Sequence, residues 1–155
     1  MQLIIGFIWR FFTKTLPVSE LTAFSDSREP LTLHACILAG GLSSRIGHDK
    51  AELQLAGRTL LEAAVSKAAE LNIPVTVIRD DIVARCGPLG GVITGMAQCP
   101  AARILFLPCD MPFVGRELLI AVTAAAEQNA HGACASDGDL AGFPIVINRA
   151  AEGVV

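Results

Sequence analysis

Short apolar runs that alternate with helical segments constrain the fold of this chain more than any other feature of its sequence. LTLHACIL, VTVI and RILFL each predict a buried strand. TLLEAAVSKAAEL and GRELLIAVTAAAEQN predict helices, and GPLGGVITGMAQ predicts a glycine-rich turn that leads into a short helix. HGACAS and FPIVIN predict later strands around a polar turn. Strands that alternate with helices in this way predict an α/β fold with a largely parallel sheet.

The composition is that of a globular domain. The length of 155 residues fits one domain, and 52% hydrophobic against 17% charged residues excludes a disordered chain. A net charge of -3 disfavours a general nucleic-acid surface. None of the five cysteines pairs in C-x-x-C spacing, so the spacing predicts neither a disulfide framework nor a zinc site. A reducing, cytoplasmic compartment is the expectation.

The first segment, residues 1–30, is expected to be an appendage or linker outside the fold, so that the domain comprises residues 31–155. Its apolar start, MQLIIGFIWRFF, is interrupted by Arg10 and is followed by Lys14. The run is shorter than the roughly 20 apolar residues that span a bilayer, and no membrane partner is expected. Peripheral anchoring through residues 1–12 is the less favoured alternative.

Three loops that follow predicted strands carry the polar residues of interest: residues 39–50, 80–90 and 108–113. Ligands of parallel α/β sheets collect at these strand ends. In the first loop, Gly40 and Gly41 expose backbone N–H groups, and Arg45 and Lys50 add positive charge. Such a combination predicts a polyphosphate cradle, although an ordinary polar turn is the alternative. The spacing matches neither a P-loop nor a dinucleotide fingerprint.

The other two loops supply carboxylates and a glycine turn. Asp110 directly follows a predicted strand, where it is placed to hold a hard cation such as Mg²⁺ or to cap the next helix. Asp80 and Asp81 follow VTVI, and either one of them contacts a ribose, a base edge or metal-bound water, or both lie in a solvated turn. The turn that begins at Gly87 would let backbone lie against a flat base. No G-x-S-x-G hydrolase motif is present.

These loops resemble the motifs of one known family. LAGGLSSRIGHDKAEL resembles the N-terminal signature of the molybdenum cofactor guanylyltransferases and their near relatives. GPLGGVITGM and LPCDMPF resemble the second and third motifs of that family in the right order, and FPIVINRA resembles a later strand. The resemblance covers about residues 33–150. It implies a Rossmann-like three-layer α/β/α nucleotidyltransferase domain with a mostly parallel sheet.

The resemblance also implies an activity: transfer of GMP from GTP to the molybdopterin cofactor, with Mg²⁺ and release of pyrophosphate. Molybdoenzymes or other proteins of cofactor biosynthesis are the implied protein partners. Arg45, Lys50 and Asp110 are the implied catalytic residues, and Asp110 is the implied metal ligand. The positions that match nucleotide contacts of the family are Leu38, Ala39, Gly40, Gly41, Lys50, Asp80, Gly87 and Asp110. Relatives that use CTP on the same pterin, or act on other small acceptors, are the alternative within the family.

Three departures from the family pattern accompany the resemblance. About one strand–helix unit, with an asparagine contact, is missing between Leu71 and VTVI. A C-terminal helix and strand with an asparagine-rich motif have no counterpart before Val155, and residues 1–30 match nothing in the family. A sheet that lacks a strand exposes an apolar edge, so we expect marginal stability or oligomerisation. A nucleotide-binding remnant without catalysis is the resulting alternative function.

Overall fold

The computed structural model of the protein describes residues 32–40, 50–80, 82 and 86–149. The expected appendage at residues 1–30 and the positions Gly41 and Arg45 lie outside the described residues. The strands are β1 (Leu33–Leu38), β2 (Gln54–Leu55), β3 (Arg58–Thr59), β4 (Val75–Ile78), β5 (Arg103–Pro108), β6 (Gly132–Ser136) and β7 (Ala141–Asn148). The α-helices are α1 (Leu60–Ala69), α2 (Pro88–Gln98) and α3 (Arg116–Glu127), and a short 3-10 helix covers Lys50–Glu52.

A five-stranded sheet in the order β4-β1-β5-β7-β6 forms the centre of the described structure. Strand β1 pairs in parallel with both β4 and β5. Strand β7 is antiparallel to β5, and β6 is antiparallel to β7, so β6 runs in the same direction as β5. Four of the five strands therefore share one direction, and the mostly parallel sheet is confirmed. β2 and β3 form a separate hairpin that was not predicted.

Helices cover both faces of this sheet. On one face, Ala35, Ile37, Leu105 and Leu107 pack against α1 and α3, with Leu119 fully buried. On the other face, the alternate strand residues pack against α2; they are Cys36, Leu38, Ile104 and Phe106. This alternation follows from the opposite orientation of successive side chains in a strand. The three-layer α/β/α architecture is thereby confirmed.

Local sequence determines where α1 and α2 begin. Thr59 caps α1 in a capping box, in which its hydroxyl accepts from the Glu62 N–H and the Glu62 carboxylate accepts from the Thr59 N–H. Gly87 precedes α2 with a φ of 56°, and Pro88 occupies the first turn. Among the described residues, every helix is too short or too polar to cross a membrane.

Candidate functional site

The carboxyl ends of β1, β4 and β5 are joined by backbone hydrogen bonds at one edge of the sheet. The Ala39 N–H donates to the Ile78 carbonyl oxygen at 2.8 Å, and the Cys109 N–H donates to the Leu38 carbonyl oxygen at 3.0 Å. These two bonds extend the parallel register one residue beyond the strands. The predicted loops that follow the three strands therefore begin side by side.

Lys50 and Asp110 meet at this edge. The Lys50 Nζ atom lies 3.5 Å from Asp110 Oδ2, and the two side chains are 46% and 48% exposed. Lys50 begins the 3-10 helix, whereas Asp110 follows β5, so the pair joins parts of the chain that are far apart in sequence. An ammonium group, which can bind phosphate, and a carboxylate, which can bind a cation, are thus adjacent and about half exposed.

Gly40 lies against the end of the neighbouring strand β4. A Cβ atom at this position would collide with the carbonyl oxygen of Arg79. Arg79 Nη2 in turn lies 3.4 Å from Glu52 Oε1, which links the end of β4 to the 3-10 helix that contains Lys50. The next residue, Asp80, is exposed. The glycine therefore serves close backbone packing as well as any contact with a ligand.

The start of α2 is held at the same edge by a buried hydroxyl. Thr94 is fully buried, and its Oγ1 donates to the Gly90 carbonyl oxygen at 2.8 Å. The same oxygen accepts from the Ile82 N–H at 2.9 Å. This bond ties the chain that follows Asp80 to the first turns of α2. The Gly87 turn is thereby fixed relative to the end of β4.

Lys67 is a supporting residue that the sequence did not single out. Its ammonium group donates to the Pro112 carbonyl oxygen, so α1 supports the loop that carries Asp110. In the sequence, Lys67 resembles any base in the last turn of a helix, and no local signal marks the contact.

A shallow cavity of about 260 Å³ lies beside β4, an outer strand of the described sheet. It includes Asp80 but neither Lys50 nor Asp110, and its lining residues are Val77, Ile78, Arg79, Asp80 and Gln98. Asp80 and the Lys50–Asp110 pair thus both lie at the carboxyl ends of the strands, but Asp80 lines a separate depression.

The family model described as the MobA-like NTP transferase domain matches residues 35–154, which is more than three quarters of the chain. The chain belongs to the MobA-like NTP transferase family. The match begins in β1 and includes all three strand-end loops.

Individual members of the MobA-like family agree with this assignment. A protein named molybdenum cofactor guanylyltransferase from Shewanella sp. (strain ANA-3) is 35% identical over 127 residues, which cover 70% of this chain and 64% of that protein. This chain therefore spans less than two thirds of the length of that relative.

Two solved structures share the fold. Molybdopterin-guanine dinucleotide biosynthesis protein A from Archaeoglobus fulgidus has a TM-score of 0.54 and 20% identity, with 76% of this chain and 68% of that chain covered. Rv0371C from Mycobacterium tuberculosis H37Rv, in a complex with manganese, has a TM-score of 0.53 and 17% identity, with 81% and 75% covered. Identities this low support the fold alone.

Most of the predicted positions of this MobA-like domain lie together at the strand ends. Ala39, Gly40, Asp80 and Asp110 follow strands there, and Gly87 opens α2; Lys50 reaches the edge through its contact with Asp110. The side chain of Leu38 instead packs in the core against α2 and is 7% exposed. Only the backbone of Leu38 is therefore available to a nucleotide, and its carbonyl oxygen already accepts from Cys109.

The Asp110 carboxylate suits a cation whose other ligands include substrate oxygens. Within the described ranges, no group of three or more His, Cys, Asp or Glu side chains includes Asp110. Among the described side chains, its half-exposed carboxylate is therefore a single hard ligand. Mg²⁺ commonly binds in this way, through one or two carboxylates with phosphate oxygens and water.

Proposed function

We propose that this chain is a nucleotidyltransferase that transfers GMP from GTP to the molybdopterin cofactor and releases pyrophosphate. The observation that carries the proposal is the adjacency of Lys50 and Asp110, with 3.5 Å between Nζ and Oδ2, at the carboxyl edge of a mostly parallel sheet. Family membership supports a nucleoside triphosphate as donor. The name of the Shewanella relative supports guanine and the molybdenum cofactor.

The chain's own residues would act by alignment and charge neutralisation. A terminal phosphate of molybdopterin would attack the α-phosphorus of GTP, with pyrophosphate as the leaving group and no covalent enzyme intermediate. Backbone N–H groups that follow Ala39, beginning with that of Gly40, would orient the phosphates, and Lys50 would stabilise the negative charge that develops on the leaving group. We propose the same role for Arg45 and a phosphate-orienting role for Gly41.

Asp110 would hold a divalent cation, with Mg²⁺ as our proposal. When bound, the ion would offset the negative charge of the phosphates. The manganese complex of the M. tuberculosis fold neighbour supports a divalent ion in general. We also propose that Asp80 and the Gly87 turn contact the ribose and base, which is supported by their position near the carboxyl ends of the strands.

The test is pyrophosphate release by the purified chain with Mg²⁺ and molybdopterin, with GTP and CTP offered in parallel. We expect release with GTP alone. Release with CTP alone would replace guanylyl transfer with cytidylyl transfer by the same site. A folded sample that binds GTP but releases no pyrophosphate would contradict the transferase proposal and favour a nucleotide-binding role.

We extend the proposal to a cytoplasmic location. None of the five cysteines forms a disulfide, which is the state favoured by a reducing compartment. Fractionation of cells that express the full chain would test this location, and recovery in an oxidising compartment would contradict it.

A further inference from the structure

Three side chains with soft ligand atoms meet on the α2 face of the sheet. His34 and Cys36 lie two residues apart on β1, and Cys99 follows the last residue of α2. One ligand atom from each lies within 4.8 Å of the other two. Cys99 is at the opposite end of α2 from Gly87, about 18 Å away along a helix of 11 residues. The cluster is therefore separate from the Lys50–Asp110 edge.

The two sulfur atoms are in contact and are closed off from solvent. Cys36 Sγ lies 3.3 Å from Cys99 Sγ, and these residues are 0% and 3% exposed. Burial, together with the hydrogen bond shared with Cys99, raises the pKa of the Cys36 thiol. Without an ion, the pair is therefore held by an S–H···S hydrogen bond.

The two ring nitrogens of His34 have different surroundings. Its Nε2 lies 2.8 Å from Thr76 Oγ1 on the adjacent strand β4. Its Nδ1 is buried and has no hydrogen-bond partner among the described residues. With the proton on Nε2, the ring donates to Thr76 and keeps a lone pair on Nδ1 that no described group uses. Metal-binding histidines are oriented by such a hydrogen bond from the second ring nitrogen.

The close packing of α2 on the sheet explains why these residues meet. A Cβ atom on Gly95 would lie 2.6 Å from Phe106 Cε1 and 3.1 Å from Cys36 Sγ. Glycine at this position therefore lets α2 approach β1 closely enough for Cys99 to reach Cys36. Both elements are regular secondary structure, which holds ligands more rigidly than loops do.

We propose that His34, Cys36 and Cys99 form a binding site for a single thiophilic ion, Zn²⁺ or Cu(I). Two thiolates and an imidazole select such ions over Mg²⁺. On binding, each thiol would release a proton to solvent and form a metal–sulfur bond, with no change of oxidation state. With Zn–S bonds of about 2.3 Å and tetrahedral angles, the sulfurs would separate to about 3.8 Å, a small movement from their present contact.

The ion would join three elements that lead into the candidate active site. Cys36 belongs to β1, Cys99 follows α2, and His34 is hydrogen-bonded to β4 through Thr76. The loops after β1 and β4 and the turn before α2 carry the proposed nucleotide contacts. The expected role of the site is therefore structural, and its test does not depend on catalysis.

The experiment uses the full chain, reduced and freed of metal by a chelator. Titration with Co²⁺ should give a thiolate-to-cobalt charge-transfer absorption that saturates at one equivalent and is displaced by Zn²⁺. Zn²⁺ should also raise the thermal midpoint. Cys99→Ser and His34→Gln should weaken Co²⁺ binding by at least about 100-fold, since each removes a ligand. Cys134→Ser, which changes an exposed thiol on β6, is the matched control and should bind Co²⁺ normally.

Thr76→Val tests the site while all three proposed ligands stay in place. It keeps the shape of the side chain and removes the hydroxyl, so a folded variant should bind about 10-fold to 100-fold more weakly. Absence of the charge-transfer band in the folded wild-type chain would overturn the proposal. So would a band that survives Cys99→Ser. Failure to take up metal, with a mass of the unreduced protein lower by two hydrogens, would also overturn the proposal and would show that two of the five cysteines form a disulfide.

Discussion

The substitution Asp110→Asn separates the chemical role of this carboxylate from its contribution to folding. The amide keeps the size of the side chain but removes the charge that would hold a divalent cation. If Asp110 binds the ion that neutralises the phosphates, turnover should fall by about 100-fold to 1,000-fold, which corresponds to about 2.7–4 kcal/mol. Such a loss is typical for the removal of one electrostatic contact to the transition state.

The stability of the fold should change far less. In the described structure, the partner of this carboxylate is Lys50 at 3.5 Å, and both side chains are about half exposed. Coulomb's law gives about 1 kcal/mol for such a pair in water, and exposed pairs contribute about 0–1 kcal/mol when measured. The free energy of unfolding should therefore fall by less than about 1 kcal/mol.

Urea unfolding and pyrophosphate release would be measured on the same preparations. Glu127→Gln is the matched control, because it removes the carboxylate of the Arg103–Glu127 pair, whose N–O distance is 2.6 Å. Arg103 begins β5 and Asp110 follows its end, so the control lies at the opposite edge of the sheet. Turnover of Asp110→Asn equal to the wild type would refute the metal-ligand role. If Asp110→Asn lost activity only because it unfolds, the prediction that catalysis and stability respond separately would be refuted.

Three further predictions test the fold. Gly40→Ala forces a Cβ atom against the Arg79 carbonyl oxygen and should cost about 1–3 kcal/mol in urea unfolding, whereas Gly142→Ala, with nothing within 4 Å, should be nearly neutral. Thr59→Ala breaks the capping box of α1 and should lower the free energy of unfolding by about 0.5–2 kcal/mol, with GTP affinity retained in the folded protein as the check. Backbone N–H groups of residues 140 and 139 hold the pKa of Asp137 below its ordinary 3.8, as an NMR titration of the carboxyl carbon should show. Because the pKa of Asp137 is lower in the folded state, its contribution to stability is present at pH values above the unfolded-state pKa. It is lost as the pH falls through the folded-state pKa. A carboxyl pKa of Asp137 equal to its ordinary value would contradict this prediction.

The secondary structure and the order of the elements could be predicted from local pattern. Apolar runs bounded by glycine, proline and aspartate are sufficient to predict β1, β4 and β5, and helical spacing predicts α1 and α3. The strand-end rule then predicts that Gly40, Asp80 and Asp110 lie at one edge. These inferences hold because each depends on residues that are close together in the chain.

Long-range geometry could not be predicted in the same way. The antiparallel placement of β7 between β5 and β6 is decided by how the sheet closes its core, and the strand pattern of FPIVIN is compatible with either direction. The contact of Lys67 with Pro112 joins residues 45 positions apart and leaves no local signature.

The sequence by itself thus determined the α/β class, the family motifs and the loops that carry the candidate site. Only the tertiary structure decided which side chains meet. Lys50 reaches Asp110 at the carboxyl ends of the strands. Cys36 contacts Cys99, 63 residues away in the chain, because Gly95 allows α2 to pack closely on β1. The spacing of apolar residues along the chain predicts the face of a helix or strand on which a side chain lies. Whether two side chains touch depends on how closely the helix and the sheet pack together.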